Sequence, residues 1–484
     1  MGSIQWTHLQ SRSGTIDNEL TRLSITELAE RLKNRIVSSV EVTKAYLDRI
    51  KGIDGALRAF VEIDQEGALQ SAELADQLID RGQYKGALHG VPMCLKDLIN
   101  TKGIPTRMGS LAYRDFIPEE DASVAIRLKQ AGATLLGKTS MYEFAMGVTN
   151  KPPYGEFRNP WNLNHSPGGS SSGSGIAVAA DLSAGSIGTD TGGSVRIPSS
   201  YCGIVGLKPT WGLVSDYGVM PMSYSLDTIG PMTKTAADGA LVLDAIAGYD
   251  PKATKPISFS PTRSYASDLA KPIHNIRLGI AKELFPHPDL DNEVGQSVQS
   301  SIDLLQSLGC EIREVSIPWA QRAPAIFAGV EEPEVAAQRW DSLVLNNAEL
   351  DSNTRTRLTA SALIPGMFNF RARQARRVIT QQVCEALEEV DALVMPSSPT
   401  TAPSLKATPH RNVREKVIGI RRTYTCLFNL TGHPALSVPC GFDSIGLPIG
   451  LQLVGSYFND GLLFRIAHHY QLNTNWQLKR PPIS

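Results

Sequence analysis

The chain has only six cysteines in 484 residues: Cys94, Cys202, Cys310, Cys384, Cys426 and Cys440. None forms a C-x-x-C pair and none sits with histidine at zinc-ligand spacing, which argues against a disulfide framework or a zinc site. They read as buried thiols in a reducing compartment. An excess of one charge is also lacking. The 47 Lys and Arg against 48 Asp and Glu leave a formal net charge of -1, a total that favours neither nucleic acid nor an anionic membrane. No apolar run reaches the roughly 18 residues needed to cross a bilayer. The first residues, Met1-Gly2-Ser3-Ile4-Gln5-Trp6-Thr7, show no basic start leading into an apolar core, and Trp6 stands where a myristoylation signal needs Ser or Thr. These absences together predict a cytoplasmic protein, monomer or homodimer, whose partner is a small molecule, with no nucleic acid and no membrane.

What is present reads as alternating strands and helices. Ser24 to Glu27 and Ser38 to Glu41 have capping-box spacing, and each opens a helical pattern, Ile25, Leu28, Leu32 and then Val42, Tyr46, Ile50. An apolar run at 57–63, a helix at about 66–81 and a strand at 91–95 that delivers Lys96 follow in β-α-β order. The alternation continues with a helix at 122–131, a short strand at 134–136, a small-residue helix at 175–181 and an apolar run at 184–188. After a Pro/Ser-rich connection at 251–264 come a strand at 276–280, a helix at 292–308, strands at 392–395, 434–438 and 447–454, and a helix at about 460–470. Such alternation predicts an α/β fold: a single large domain with a mixed, mostly parallel central sheet covered by helices on both faces. Its parts are a helical hairpin at about 24–50, a catalytic core at about 57–250 and a C-terminal α/β part at about 270–475.

Two glycine-serine turns carry the chemical signal. Gly168-Gly169-Ser170-Ser171-Ser172-Gly173-Ser174-Gly175 is followed by Gly188-Thr189-Asp190-Thr191-Gly192-Gly193-Ser194-Val195-Arg196, with one apolar segment between. A flexible linker is the ordinary meaning of such a tract, but linkers do not run directly into an apolar strand and a second glycine turn. A Walker loop needs Gly-Lys-Ser/Thr where Ser174 follows Gly173, and Val178 occupies the third glycine place of G-x-G-x-x-G. A serine nucleophile fits better, since Gly192-Gly193-Ser194 sets a hydroxyl beside turn amides able to stabilise an oxyanion. None of the nine histidines lies in a recognisable catalytic motif, and Ser194 has no G-x-S-x-G elbow. Lys96, at the end of an apolar strand, is the alternative base.

Read together, these segments resemble the amidase signature family. The resemblance is carried by "GVPMCLKDLINTKG" from Gly90, "MYEFAMG" at 141–147, "NPWNLNHSPGGSSSGSG" from Asn159, "GTDTGGSVRIPSSYCGIVGLKP" from Gly188, "SLDTIGPM" from Ser225 and the stretch 429–455. It implies the amidase signature fold, with Lys96 as catalytic base, Ser170 as bridging serine after a cis peptide and Ser194 as nucleophile. Backbone amides of Thr191, Gly192, Gly193 and Ser194 are the implied oxyanion donors. Met141, Phe144, Met146 and Gly147 are placed beside the substrate; Ser171 is counted with them and, with Ser172, is also expected to support the turn. Asp190 and Arg196 flank the nucleophile and read as an ion pair that holds the turn. No metal and no organic cofactor is implied.

Holding a free lysine neutral at pH 7.4 costs about 4 kcal/mol, so Lys96 is expected to be buried and Asp97, its strand neighbour, to point to the opposite face. Activity is expected to climb between about pH 7 and 9 as Lys96 deprotonates. The implied activity is hydrolysis of small-molecule amides, with esters or carbamates as further substrates. The alternative is the A subunit of a glutamine-dependent glutamyl-tRNA amidotransferase, which the N-terminal half resembles and which works with partner subunits and tRNA. Where that enzyme is expected to grip the glutamine amino group with an acidic residue, this chain reads Ile420-Arg421-Arg422-Thr423. The run 364–370 is apolar and reads as helix packing or a pocket wall, and Arg371, Arg373, Arg376 and Arg377 read as a solvated helix face.

Overall fold

A computed structural model describes residues 17–147, 153–261, 263–406 and 423–483. The N-terminal heptapeptide and Ile420, Arg421 and Arg422 lie outside them. Both capping boxes form, at Ser24 with Glu27 and at Ser38 with Glu41, and open helices Ile25–Lys33 and Ser39–Leu57. Each serine hydroxyl accepts a backbone N–H of the first turn and each glutamate returns the bond, so two otherwise orphaned donors are satisfied at each start.

Among the described residues one sheet holds eleven strands: β1 Phe60–Ile63, β2 Pro92–Lys96, β3 Thr134–Thr139, β4 Gly185–Asp190, β5 Val205–Lys208, β6 Thr228–Thr233, β7 Arg277–Ala281, β8 Glu311–Val315, β9 Ala392–Pro396, β10 Ala435–Phe442 and β11 Pro448–Gly455. Their order is β1-β3-β2-β4-β6-β5-β10-β11-β9-β7-β8. The sheet is mixed, and its parallel character is confined to two wings, β3-β2-β4 and β9-β7-β8. The middle, from β4 through β9, is antiparallel throughout, as is the β1 edge. Helices flank it: Ala236–Ile246 packs on β6 and on helix Asp460–Leu472, and Asn292–Ser307 packs on β9, β10 and β11. Central strands are buried along their whole length, which is why β9 and β11 read as apolar runs without alternation.

β4 is buried too, yet it reads Gly-Ser-Ile-Gly-Thr-Asp. Helix Ser172–Ala179, all eight residues buried, packs against it. A Cβ on Gly188 would stand 2.9 Å from Ser171 Oγ and 2.9 Å from Met232 Sδ, so only glycine admits that approach. Ser186 satisfies its hydroxyl on Cys94 O. Among the described residues, no helix is long and apolar enough to cross a membrane.

Candidate active site

Parallel pairing of β2 with β4 brings their carboxyl ends together, Leu95 opposite Ile187. Lys96 and Thr189 therefore meet just past the pair, where open α/β sheets present their chemistry. Lys96 Nζ donates to Ser170 Oγ at 2.8 Å and to Thr189 Oγ1 at 2.8 Å. Its side chain is fully buried, and among the described residues no carboxylate stands within ion-pair distance. Burial is the dominant influence on the ammonium and lowers it to about 7, against the opposing pull of Asp227 and then Asp190. Asp97 is turned away as strand alternation requires: it accepts from Arg107 N and faces Lys138 Nζ at 3.9 Å. Burial raises the Asp97 carboxyl and lowers Lys138.

The Gly169–Ser170 peptide is cis. Ser170 is buried beside Lys96, and Ser171 N donates to Ser194 O at 3.3 Å, so the two glycine-serine turns are joined directly. Ser194 is half-buried at the head of helix Arg196–Cys202. The turn before it is folded around Asp190, whose Oδ1 accepts from Gly193 N at 2.7 Å and whose Oδ2 accepts from Val195 N at 3.1 Å. Arg196 closes on the same carboxylate through Nε and Nη2, both at 3.0 Å. Burial would raise the Asp190 carboxyl, but the Arg196 charge and the hydrogen bonds from Arg196 and Asn429 hold it well below the usual range. The guanidinium is anchored in turn by Gln452 Oε1 and Asn429 Oδ1. Asp190 and Arg196 thus form the buried pair expected of them.

Gly193 departs from expectation. Its N–H is taken up by Asp190, so it does not face an oxyanion, whereas among the described residues the amides of Thr191, Gly192 and Ser194 meet no acceptor. Ser171 supports the turn, since its hydroxyl donates to Thr189 O at 3.1 Å and accepts Thr189 N at 3.2 Å, a strap between the turns that uses its one O–H and so leaves no donor for a substrate. Met141, Phe144 and Met146 are buried in the main core, with Arg339 stacked over the Phe144 ring 5.2 Å from its centroid. Gly147 alone of that group is exposed. Met367, Phe368 and Phe370 stand in solvent, at 55%, 53% and 63% exposure, and so do not form core. On the same helix Arg373 pairs with Glu334, and Arg376 reaches inward to Leu430 O and Ser225.

Sequence reasoning missed several residues that hold the turn. Thr425 Oγ1 donates to Gly192 O at 2.7 Å, Thr191 Oγ1 donates to Asp227 Oδ1 at 2.6 Å, and Phe327 lies against Gly192, its Cζ 2.7 Å from where a Cβ would sit. Asp227, Asn429 and Gln452 lie inside segments that carry the resemblance; Thr425 and Phe327 had no sequence signal. Among the described residues no group of three or more His, Cys, Asp or Glu is arranged to hold a metal.

The sequence model of the amidase family matches residues 41–464. The A subunit of the glutamyl-tRNA(Gln) amidotransferase of Geobacter sp. (strain M21) is 39% identical over 96% of this chain and 100% of its own length. Among solved structures, the A subunit of the glutamyl-tRNA(Gln) amidotransferase of Thermotoga maritima superposes with a TM-score of 0.81 at 30% identity, covering 97% of this chain and 100% of that one. The native peptide amidase of Stenotrophomonas maltophilia does so with a TM-score of 0.82 at 31% identity, covering 95% and 98%. These relatives correct two expectations. A stand-alone hydrolase of small-molecule amides, esters or carbamates does not fit end-to-end relatives named as one component of a tRNA amidotransferase. Nor does a monomer or homodimer whose only partner is a small molecule, with nucleic acid excluded. The even total charge misled here, because a net charge near zero does not by itself exclude a nucleic-acid partner. With a lysine-serine contact buried at the strand ends, open amides beside a second serine, and relatives matched along almost its whole length, the chain belongs to the amidase family and acts on carbon-nitrogen bonds.

Proposed function

We propose that this chain is the A subunit of a glutamine-dependent glutamyl-tRNA amidotransferase, the component that releases ammonia from an amide. The end-to-end similarity to the A subunits of glutamyl-tRNA(Gln) amidotransferases carries the reading. Its site chemistry is acyl transfer. Ser194 Oγ attacks the amide carbonyl while its proton passes by way of Ser170 to neutral Lys96. The oxyanion is held by the amides of Thr191, Gly192 and Ser194, the three that meet no acceptor inside the described residues. As the carbon-nitrogen bond breaks, the proton returns through Ser170 to the leaving nitrogen, which departs as ammonia. Water then attacks the Ser194 ester by the same route and frees the acid. Asp190, Arg196, Thr425 and Asn429 act by fixing the turn. The substrate tRNA puts the work in the cytoplasm.

The test is a reconstitution of the chain with its partner subunits, glutamate-charged tRNA and glutamine labelled with 15N at the amide. Labelled glutaminyl-tRNA is the expected product, and Ser194→Ala is expected to lower its rate by at least about 10³-fold while leaving the charged tRNA bound. Transfer of label at the unmodified rate by Ser194→Ala, or no transfer by the intact assembly, overturns the reading.

A further inference from the structure

Ser170 must stay within reach of Lys96 for the relay proposed above, yet its own backbone does little to hold it there. Among the described residues neither the amide nor the carbonyl of Gly169 or Ser170 enters a hydrogen bond. The residues on either side are tied: Gly168 N donates to Ser166 Oγ at 3.1 Å, Ser172 Oγ donates to Gly168 O at 2.7 Å, and Ser171 is strapped to Thr189. Gly169 and Ser170 are therefore located by packing. A Cβ at Gly168 would stand 3.0 Å from Pro198 Cα and 3.1 Å from Tyr201 Cδ2, so helix Arg196–Cys202 closes one side of the tract. At Gly169 the space is taken by a ring: a Cβ there would stand 2.3 Å from Tyr142 Cε2 and 2.4 Å from Tyr142 Cδ2. That ring is itself fixed. Phe157 meets it edge-on with centroids 5.4 Å apart, and Ser166 and Ser172 hydrogen-bond its buried hydroxyl. The loop that carries Tyr142 is anchored as well, since Glu143 accepts from Ser110 Oγ at 2.6 Å and from Asp351 N at 3.0 Å, and Met146 O accepts from Arg357. While Met141, Phe144 and Met146 turn into the core, half-buried Tyr142 lies on the serine turn.

We propose that Tyr142 is a positioning residue of the proton relay: its ring, packed on Gly169, keeps Ser170 Oγ within hydrogen-bond distance of Lys96. An aromatic ring suits the task, because it is rigid beyond two torsions, whereas a flexible side chain would let a stretch without backbone hydrogen bonds drift. A displacement of about 1 Å at such a contact costs about 10²-fold in rate. The inference rests on the relay from Ser194 through Ser170 to Lys96, and not on the identity of the physiological amide.

Labelling of the full chain by a fluorophosphonate reads the relay. Ser194 Oγ forms the P–O bond, the P–F bond breaks with fluoride leaving, and the hydroxyl proton passes through Ser170 to Lys96. Tyr142→Leu removes the ring and is expected to slow labelling about 10–100-fold, whereas Tyr142→Phe keeps the ring and is expected to recover to within about threefold of the unmodified rate. Ser170→Ala, slower in its own right, separates positioning from support of the fold. With no Ser170 hydroxyl left to position, adding Tyr142→Leu to Ser170→Ala is expected to change the rate by less than about twofold. A ring that merely supports the fold slows both backgrounds by the same factor, and that result overturns the proposal, as does Tyr142→Leu labelled at the unmodified rate. Methyl and octyl fluorophosphonates are expected to give equal factors for Tyr142→Leu; a factor that grows with chain length makes the ring a wall of the substrate site and also overturns it. Should Tyr142→Leu fail to fold, Tyr142→Met, long and apolar but without a ring, reads the same cycle. Failure of the relay itself looks different. Ser170→Ala labelled at the unmodified rate removes the relay and Tyr142's role with it, whereas slow Ser170→Ala with equal factors in the two backgrounds removes only Tyr142's role.

Discussion

Lys96 pays for its chemistry in stability. An amine that is protonated in the unfolded chain up to about pH 10.5 is neutral in the folded one above about pH 7. Between those values the unfolded state binds more protons, so this group adds stability as pH rises; at and below pH 7 its full burial cost is present. Removing it is therefore expected to stabilise the fold. Lys96→Met, matched in length and apolar, is predicted to be inactive yet about 1–3 kcal/mol more stable than the unmodified chain at pH 7, less than the whole desolvation term because the bonds to Ser170 and Thr189 are lost. The gain is expected to fall by about 3–4 kcal/mol and reverse sign by pH 10, where only the lost bonds remain, and urea unfolding at the two pH values checks both sign and slope. An equally stable or weaker Lys96→Met at pH 7 would mean that the amine is not desolvated as its burial implies. The acid limb of activity is accordingly expected near pH 7, at the lower end of the pH 7 to 9 rise that the sequence suggests. At this scale the site was legible where a residue's chemistry is uncommon for its place, a lysine ending an apolar strand or a serine among glycines. It was illegible where backbone direction decides: nothing in the letters Thr-Gly-Gly-Ser says that the Gly193 amide turns toward Asp190 while its neighbours do not.

Helix Ser172–Ala179 is the element on which the two turns depend. Its small residues let it lie against β4 and the end of β3, with Thr139 Oγ1 and Ser174 Oγ 2.8 Å apart and Gly173 N bonded to Ser140 O at 2.9 Å. A Cβ at Gly173 would stand 2.2 Å from Ala59 O and 2.5 Å from Ser140 N, both backbone atoms of elements that cannot step aside. Gly173→Ala is thus expected to push the helix start outward, displacing Ser170 from Lys96. The predicted cost is about 2–4 kcal/mol, with fluorophosphonate labelling lost even in the folded fraction. Thermal unfolding with parallel labelling checks it, and near-normal values for both would show that the helix has room. The capped helices, which have a clear period, and the apolar runs of β9 and β11 were readable in advance. β6 was not, because Gly230 and Pro231 argue against a central strand; Gly230 is required there, since a Cβ would meet Leu207 O at 1.9 Å. β8 hid for the opposite reason, as an exposed edge strand, Glu-Ile-Arg-Glu-Val, with little apolar signal.

At the scale of the molecule, the sheet joins two stretches of sequence that look separable. The break between a catalytic core at about 57–250 and an α/β part from about 270 falls in a Pro/Ser-rich connection, yet β5 pairs with β10 across it, Leu207 opposite Leu436. The nucleophile's own turn crosses the same divide, because Arg196 is held by Asn429 and Gln452, and Gly192 by Thr425. Separating the halves would leave an open, apolar β5 edge on one piece and an open β10 edge on the other. It would also strip the Arg196 guanidinium of Gln452 and Asn429, two of the acceptors that hold it against Asp190. The full chain is therefore expected to unfold in one cooperative transition, with calorimetric and van't Hoff enthalpies agreeing. Residues 1–262 made alone are expected to aggregate or remain unfolded, with no fluorophosphonate labelling although Lys96, Ser170 and Ser194 are all present. Co-expression with residues 263–484 is expected to restore labelling, because the missing contacts are non-covalent and the cut lies in a surface connection. A soluble, labelled N-terminal piece would mean that the turn assembles without Asn429 and Gln452, and that the single sheet is two folding units laid edge to edge.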